Sequence, residues 1–297
     1  MKRSETYITT SWDDGNPLDL RVAELLVKHG LRSTFYVPRS AETGTVTAAQ
    51  IRELSSAFEI GAHTIHHVIL TQATAEQAER EIVDSKSWLE DTIGRRCRMF
   101  CPPTGAFRRQ HLESIQRAGF IGLRTVELGS LDISSSREGL VIMPTTVQAY
   151  PHGWPAVARN AMKRMAFVNL WRIVIHGRTT DWSELAQRML SYALNNGGVF
   201  HLWGHSWELD KANHWMRLDR VLQMMKESIA EAPSLENGEL ADRFLMSSDA
   251  PRDAPPDFPT GFEKSPSRRT TPQRDISAHL IQSLRPGPAS RARRREP

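Results

Sequence analysis

Short β-favouring runs alternate with longer amphipathic helical patterns along most of this chain, and no other feature constrains its fold as much. Strands are expected at residues 7–12, 33–37, 58–63, 98–101, 121–126, 171–176 and 199–203. Helices are expected at 18–29, 47–58, 74–93, 108–118, 156–166, 184–194 and 218–229. Gly30 stands where a helix C-cap glycine belongs, Thr47 is an N-cap candidate, and Thr74 with Gln77 has capping-box spacing. After residues 141–150 the pattern is less clean. About seven β/α units in roughly 245 residues imply an α/β fold whose parallel sheet closes, or nearly closes, into a distorted (β/α)7-type barrel. An open doubly wound sheet is the competing architecture. No Gly-x-Gly-x-x-Gly follows the first strand, which argues against a dinucleotide site.

The 297 residues carry a formal charge of +4, which suggests a nucleic-acid partner until the charge is located. Residues 251–297 hold 10 of the 38 Lys and Arg, 5 of the 34 Asp and Glu, and 9 of the 17 prolines. The rest of the chain keeps 28 basic against 29 acidic residues, a balance of -1. The expected division is therefore one folded domain over residues 1–248 and a Pro/Arg-rich tail over 249–297. The tail cannot bury enough apolar surface to offset its ordering entropy and is expected to be disordered. Nucleic-acid binding is expected only through that tail. Two cysteines, Cys97 and Cys101, are too few for a disulfide scaffold. Met1-Lys2-Arg3 is followed by no apolar run of signal-peptide type, and no stretch reaches membrane-spanning length. The expectation is a cytoplasmic protein without a membrane span.

In barrels of this class, reactive groups gather at the C-terminal strand ends. The first expected strand ends Ser11-Trp12-Asp13-Asp14-Gly15. Adjacent carboxylates on an extended chain project in different directions, so one can bind a metal while the other faces a substrate; Asp-Gly is also a common turn dipeptide. The third ends His63-Thr64-Ile65-His66-His67, and three histidines in five positions have the density of a metal site. The last ends His201-Leu202-Trp203-Gly204-His205. His201 reads as a buried structural histidine, and His205 as a group that could protonate a leaving group. Cys101-Pro102-Pro103 is either a pocket wall or a simple loop.

Taken in order, these motifs resemble the NodB-type polysaccharide deacetylases of carbohydrate esterase family 4, over about residues 6–230. The resemblance implies a single catalytic domain with a divalent metal, typically zinc, held by one Asp and two His. It matches Asp13 to the catalytic base, Asp14, His63 and His67 to the metal ligands, and His205 to the general acid, and gives His66 no role. Two departures stand out. The family's third motif opens with an arginine that orients the catalytic aspartate, and Cys101 occupies that place. Arg124, on the next expected strand, could supply the guanidinium instead. The fourth motif, Asp-Trp, is not evident, and Asp132 is the nearest aspartate.

The implied reaction is hydrolysis of an N-acetyl group, or less typically an O-acetyl group, on a carbohydrate substrate. Trp203, Trp207 and Tyr150 could stack on sugar rings or serve as ordinary core and rim aromatics. Two rival readings are hydrolysis of a small cyclic amide or imide on the same fold, and a non-catalytic glycan-binding relative.

Overall fold

The structure is a computed structural model that describes residues 5–135 and 139–248. The tail expected over 249–297 lies outside the described residues. The first six strand segments are β1 (Thr6–Asp13), β2 (Thr34–Val37), β3 (Glu59–Ala62), β4 (Met99–Phe100), β5 (Gly122–Arg124) and β6 (Ser134–Ser135). They are followed by β7 (Val141–Met143), β8 (Val147–Gln148) and β9 (Gly198–Gly204). The nine form one sheet in the order β6-β7-β5-β4-β3-β2-β1-β9-β8, parallel except for the short β6–β7 pair.

The sheet curls until its two sides meet on one stretch of chain. Residues 141–143 pair with β5, and four residues later 147–148 pair with β9. Between them Thr145 N–H donates to Glu127 C=O and Thr146 N–H to His201 C=O. Residues 141–148 thus act as one bent strand shared by both edges.

Local chemistry explains most element boundaries. Helix α1 (Asp19–His29) ends at Gly30, whose φ of 66° is the left-handed cap conformation that glycine adopts without strain. Helix α2 (Ala48–Ala57) opens with a complete capping box between Thr47 and Gln50. In α3 (Ala75–Ile93) only the forward half forms, with the Gln77 N–H donating to Thr74 Oγ1. Helix α4 (Arg109–Arg117) completes the layer outside β4 and β5. The main core cluster joins Ile8, Trp12, Leu26, Phe35, Leu54 and Phe200, filling the barrel and its contact with these helices.

The strand expected at 171–176 is helical. Helix α5 (Trp154–Arg164) turns at Met165 into α6 (Phe167–Arg172), which continues as a π-helical turn over Ile173–Gly177. Asn169, Ile173 and Gly177 face inward at helical spacing, while Trp171, Val174 and Ile175 face out. The sheet offers this segment no place, because 141–148 already fills the gap between β5 and β9. Helices α7 (Trp182–Asn196), α8 (Ser206–Lys211), α9 (Trp215–Glu227) and α10 (Asn237–Ser248) complete the fold. Among the described residues, no helix is long and apolar enough to cross a membrane.

Candidate active site

Asp13 is the last residue of β1, and Asp14 follows it at φ 77°, a left-handed conformation uncommon outside glycine. This backbone reversal sends the two carboxylates to different partners. Thr64 and His67 also have positive φ, so three such non-glycine residues converge at the strand ends. Unusual backbone of this kind persists only where the surroundings over-determine it.

Asp14 is buried between His63 and His67. Its Oδ1 lies 3.5 Å from His63 Nε2 and 3.0 Å from His67 Nε2, and makes no well-formed hydrogen bond. Its Oδ2 accepts a 2.9 Å hydrogen bond from the Trp207 indole N–H. Burial pushes the Asp14 pKa up, but the His63 and His67 imidazoles beside it and the charge of His205 more than reverse it, holding it well below the usual carboxylate range. His63 Nδ1 lies 2.7 Å from the Cys101 carbonyl, which can only accept, so Nδ1 carries the proton and Nε2 keeps its lone pair. Asp14, His63 and His67 together form a group capable of holding a metal ion. One buried carboxylate oxygen without a hydrogen-bond partner and two imidazole nitrogens suit a divalent cation.

The loop carrying the histidines is held from outside the motif. Glu81, on α3, accepts the N–H groups of Ile65 and His66 through Oε2, at 3.0 and 2.9 Å. Its Oε1 lies 2.8 Å from His66 Nδ1. His66 is therefore a loop anchor, paired with Glu81 and outside the group formed by Asp14, His63 and His67.

Asp13 is paired with Arg124. The guanidinium Nη2 donates to Asp13 Oδ1, with the two side chains 0% and 3% exposed. Tyr36 and Trp203 flank Arg124, with ring centroids 5.1 and 4.7 Å from its Cζ. Burial opposes the arginine's charge, and the Asp13 carboxylate beside it outweighs that, so its pKa stands above the ordinary value. Space for the Tyr36 ring comes from Gly61, where a Cβ would lie 2.5 Å from ring carbons. Cys101 occupies the neighbouring strand end, its Sγ 3.9 Å from Asp13 Oδ2. Burial raises the Cys101 thiol well above its usual pKa, so it stays neutral.

His205 follows β9 and stands between the rings of Trp203 and Trp207, at 5.5 and 5.4 Å. Its Nδ1 donates to Glu208 Oε2 at 2.7 Å. The same carboxylate oxygen accepts from Gln148 Nε2, and Gln148 Oε1 accepts from His152 Nε2. Burial alone would lower the His205 pKa; the Glu208 hydrogen bond, reinforced by the charges of Asp13 and Asp14, pushes it up to about 9. His201 is the structural histidine expected. Its Nδ1 donates to the Pro144 carbonyl, its Nε2 meets Ser11 Oγ at 2.8 Å, and burial pushes its pKa down to about 3.

Asp13, Asp14, His63, His67, Arg124 and His205 thus lie at one end of the barrel. Asp132 does not: its side chain is 77% exposed and pairs with Arg172. Trp203 backs Arg124 from the core, so it offers no sugar platform. Sequence reasoning missed Glu81, Glu208 and the Trp207 N–H, whose roles depend on partners brought in by the fold. It also missed Asp19, a fully buried acid that accepts a 2.5 Å hydrogen bond from Ser206 Oγ and ties α1 to the start of α8. Burial pushes the Asp19 pKa well up.

Residues 1–123 match the family model described as polysaccharide deacetylase. A curated relative, YlxY of Bacillus subtilis, an uncharacterized protein, is 26% identical over 102 residues; the match spans 34% of this chain and 31% of that protein's length. A crystal structure from Mycobacterium smegmatis, assigned as a polysaccharide deacetylase, aligns with a TM-score of 0.64 at 14% identity, covering 86% of this chain and 96% of its own. A mutant of BA3943, a CE4-family pseudoenzyme with restored enzymatic activity, aligns at 0.51 and 17% identity, covering 80% of this chain and 68% of its own. The wild-type form of that protein comes from Bacillus anthracis. Residues 1–123 thus resemble the polysaccharide deacetylases in sequence, and the fold is that of solved structures assigned to the polysaccharide deacetylases and carbohydrate esterase family 4.

Proposed function

We propose that the protein is a metal-dependent hydrolase that removes N-acetyl groups from an amino-sugar polymer or oligosaccharide, or from a lipid- or nucleotide-linked amino sugar. The observation that carries this reading is the division of labour between adjacent carboxylates: Asp14 meets two imidazoles, and Asp13 meets a buried guanidinium. Asp14, His63 and His67 would hold the ion, and zinc suits their N, N, O set. A divalent ion there supplies Lewis acidity toward an acyl carbonyl and a water molecule. Asp13, held in position by Arg124, takes the proton of the water whose oxygen attacks the acyl carbon. His205, charged at neutral pH, gives its Nε2 proton to the departing amine nitrogen as the C–N bond breaks. The products are acetate and the free amino sugar. Glu208 keeps the imidazole oriented and charged for that transfer.

The test is acetate release from a panel of N-acetylated amino sugars, with metal content measured in parallel. Asp13→Asn should abolish release and leave the metal in place; retained turnover would refute its role as base. His63→Ala combined with His67→Ala should lose the metal, and unchanged metal content would refute the ligand set. Ring opening of a cyclic imide without acetate release would move the reaction to another class. Glycan binding with no turnover would make the protein a lectin-like relative.

A further inference from the structure

The α5–α6 hairpin carries an apolar surface that the rest of the fold leaves uncovered. Met162, Phe167, Val168 and Trp171 each leave more than half of their surface in water, and Met165 leaves 76%. Val174 and Ile175 extend the stripe. On α6 and its π-helical turn these residues recur at helical spacing opposite the buried Asn169, Ile173 and Gly177, so they form one outward face. On α5, Arg159, Met162 and Lys163 face water while Val157 and Ala161 are buried. An outward cluster of aromatic, methionine and β-branched side chains exceeds the scattered apolar exposure normal for a monomer surface.

The charge carried by this stretch of chain has one sign, and an exposed acid that meets it, Asp132, is paired with Arg172. From Gly139 to Thr180 the sequence contains no aspartate or glutamate, although the whole chain has 34, and five basic residues fall in that interval. Arg164 and Arg172 reach inward to the Gly105 and Gly129 carbonyls, whereas Arg159, Lys163 and Arg178 are exposed. We propose that this hairpin docks the protein on an anionic lipid bilayer, with Phe167, Val168 and Trp171 entering the headgroup region and Arg159, Lys163 and Arg178 meeting lipid phosphates. Amphipathic helices that pair aromatic and aliphatic side chains with Lys and Arg bind anionic interfaces in this way without spanning them. A nucleic acid would use the cations but give the apolar stripe nothing to bury.

The anchoring of the hairpin adds a geometric consequence. Asn160 bonds the Val126 carbonyl and the Leu128 N–H, and Arg164 bonds the Gly105 carbonyl. These groups follow the C-terminal ends of β5 and β4, the end of the barrel that also carries Asp13 and Asp14. A bilayer bound there lies beside the candidate active site. The docking surface does not depend on which reaction that site performs.

The experiment is co-sedimentation of the full chain with vesicles of phosphatidylcholine alone and of equimolar phosphatidylcholine and phosphatidylglycerol. Binding should favour the anionic vesicles and weaken as salt is raised. Phe167→Ser with Trp171→Ser should lower the partition by about tenfold or more, with an unchanged circular dichroism spectrum because both side chains are already exposed. Arg159→Glu with Lys163→Glu should reduce binding to anionic vesicles selectively, which tests the surface even if the first variant misfolds. Unchanged binding in both variants would overturn the proposal and assign any affinity to the basic tail. Absence of vesicle binding would overturn it as well; a concentration-dependent dimer abolished by Phe167→Ser and Trp171→Ser would then identify a second copy as the partner, and salt-sensitive binding to DNA or RNA would identify a nucleic acid.

Discussion

Replacing Arg124 by methionine keeps the apolar stem and removes the guanidinium whose charge Asp13 faces. With the two side chains 0% and 3% exposed, water has no route to take the guanidinium's place. Breaking a buried ion pair by deleting one partner costs about 3–5 kcal/mol, because the remaining charge is left uncompensated. A domain of this kind is stable by about 5–15 kcal/mol, so the loss is a large share of the total. Urea denaturation followed by circular dichroism measures it, with an unchanged slope as the check that only stability moved. Asp13→Asn with Arg124→Met should cost less than the two single changes combined, with a coupling of about 2 kcal/mol or more. The parallel register sets Phe100 beside Leu123, which brings Cys101 opposite Arg124 on adjacent strands. Cys101→Arg in an Arg124→Leu background should therefore return a guanidinium to Asp13 and recover part of both stability and turnover. If Arg124→Met cost less than about 1 kcal/mol, or the double change were additive to within about 0.5 kcal/mol, the pair would not be holding Asp13 and the reasoning would fail.

Glu208→Gln removes the carboxylate that raises the His205 pKa to about 9, so the acid form should be lost at lower pH. The alkaline limb of the kcat/KM profile should move down, and an unmoved limb would count against His205 as the acid. Trp207→Phe removes the N–H that occupies Asp14 Oδ2 and should weaken metal affinity about 10–100-fold, measured by competition with a chelator. Cys97 and Cys101 are both fully buried, and burial pushes the Cys97 thiol up to about 12. Neither should react with iodoacetamide at pH 8 until denaturant is added; rapid labelling of the native protein would show the interior more open than described.

The parts of the site that were legible in the sequence are those encoded within a few residues of one another. Asp13 and Asp14 are adjacent, His63 and His67 are four apart, and each set follows a recognisable strand. Arg124 was reachable because strand order in a parallel barrel follows chain order, so a residue missing from one strand end can be sought on the next. Glu208 was visible as a residue but not as a partner, since nothing local says that it bonds His205. The Trp207–Asp14 bond spans 193 positions, which no local pattern encodes. Residues 171–176 misled because a short β-branched run has the composition of a buried strand, and only the occupied sheet forces it to coil outward. The six-residue α8 escaped because so few turns give too little periodicity.

The pairing of β1 with β9 is the longest register in the sheet, from Thr6 opposite Gly198 to Trp12 opposite Gly204. Its side-chain link, Ser11 to His201, joins positions 190 residues apart. A chain emerging from the ribosome can therefore assemble β1 through β5, with both aspartates, both imidazoles and Arg124, while one edge of β1 still stands open. His205 and Glu208 arrive only with the strand that covers that edge. The half that would hold the ion thus precedes the half that would supply the proton to the leaving group, and on the proposed mechanism a nascent or truncated chain should capture metal before it can turn over substrate.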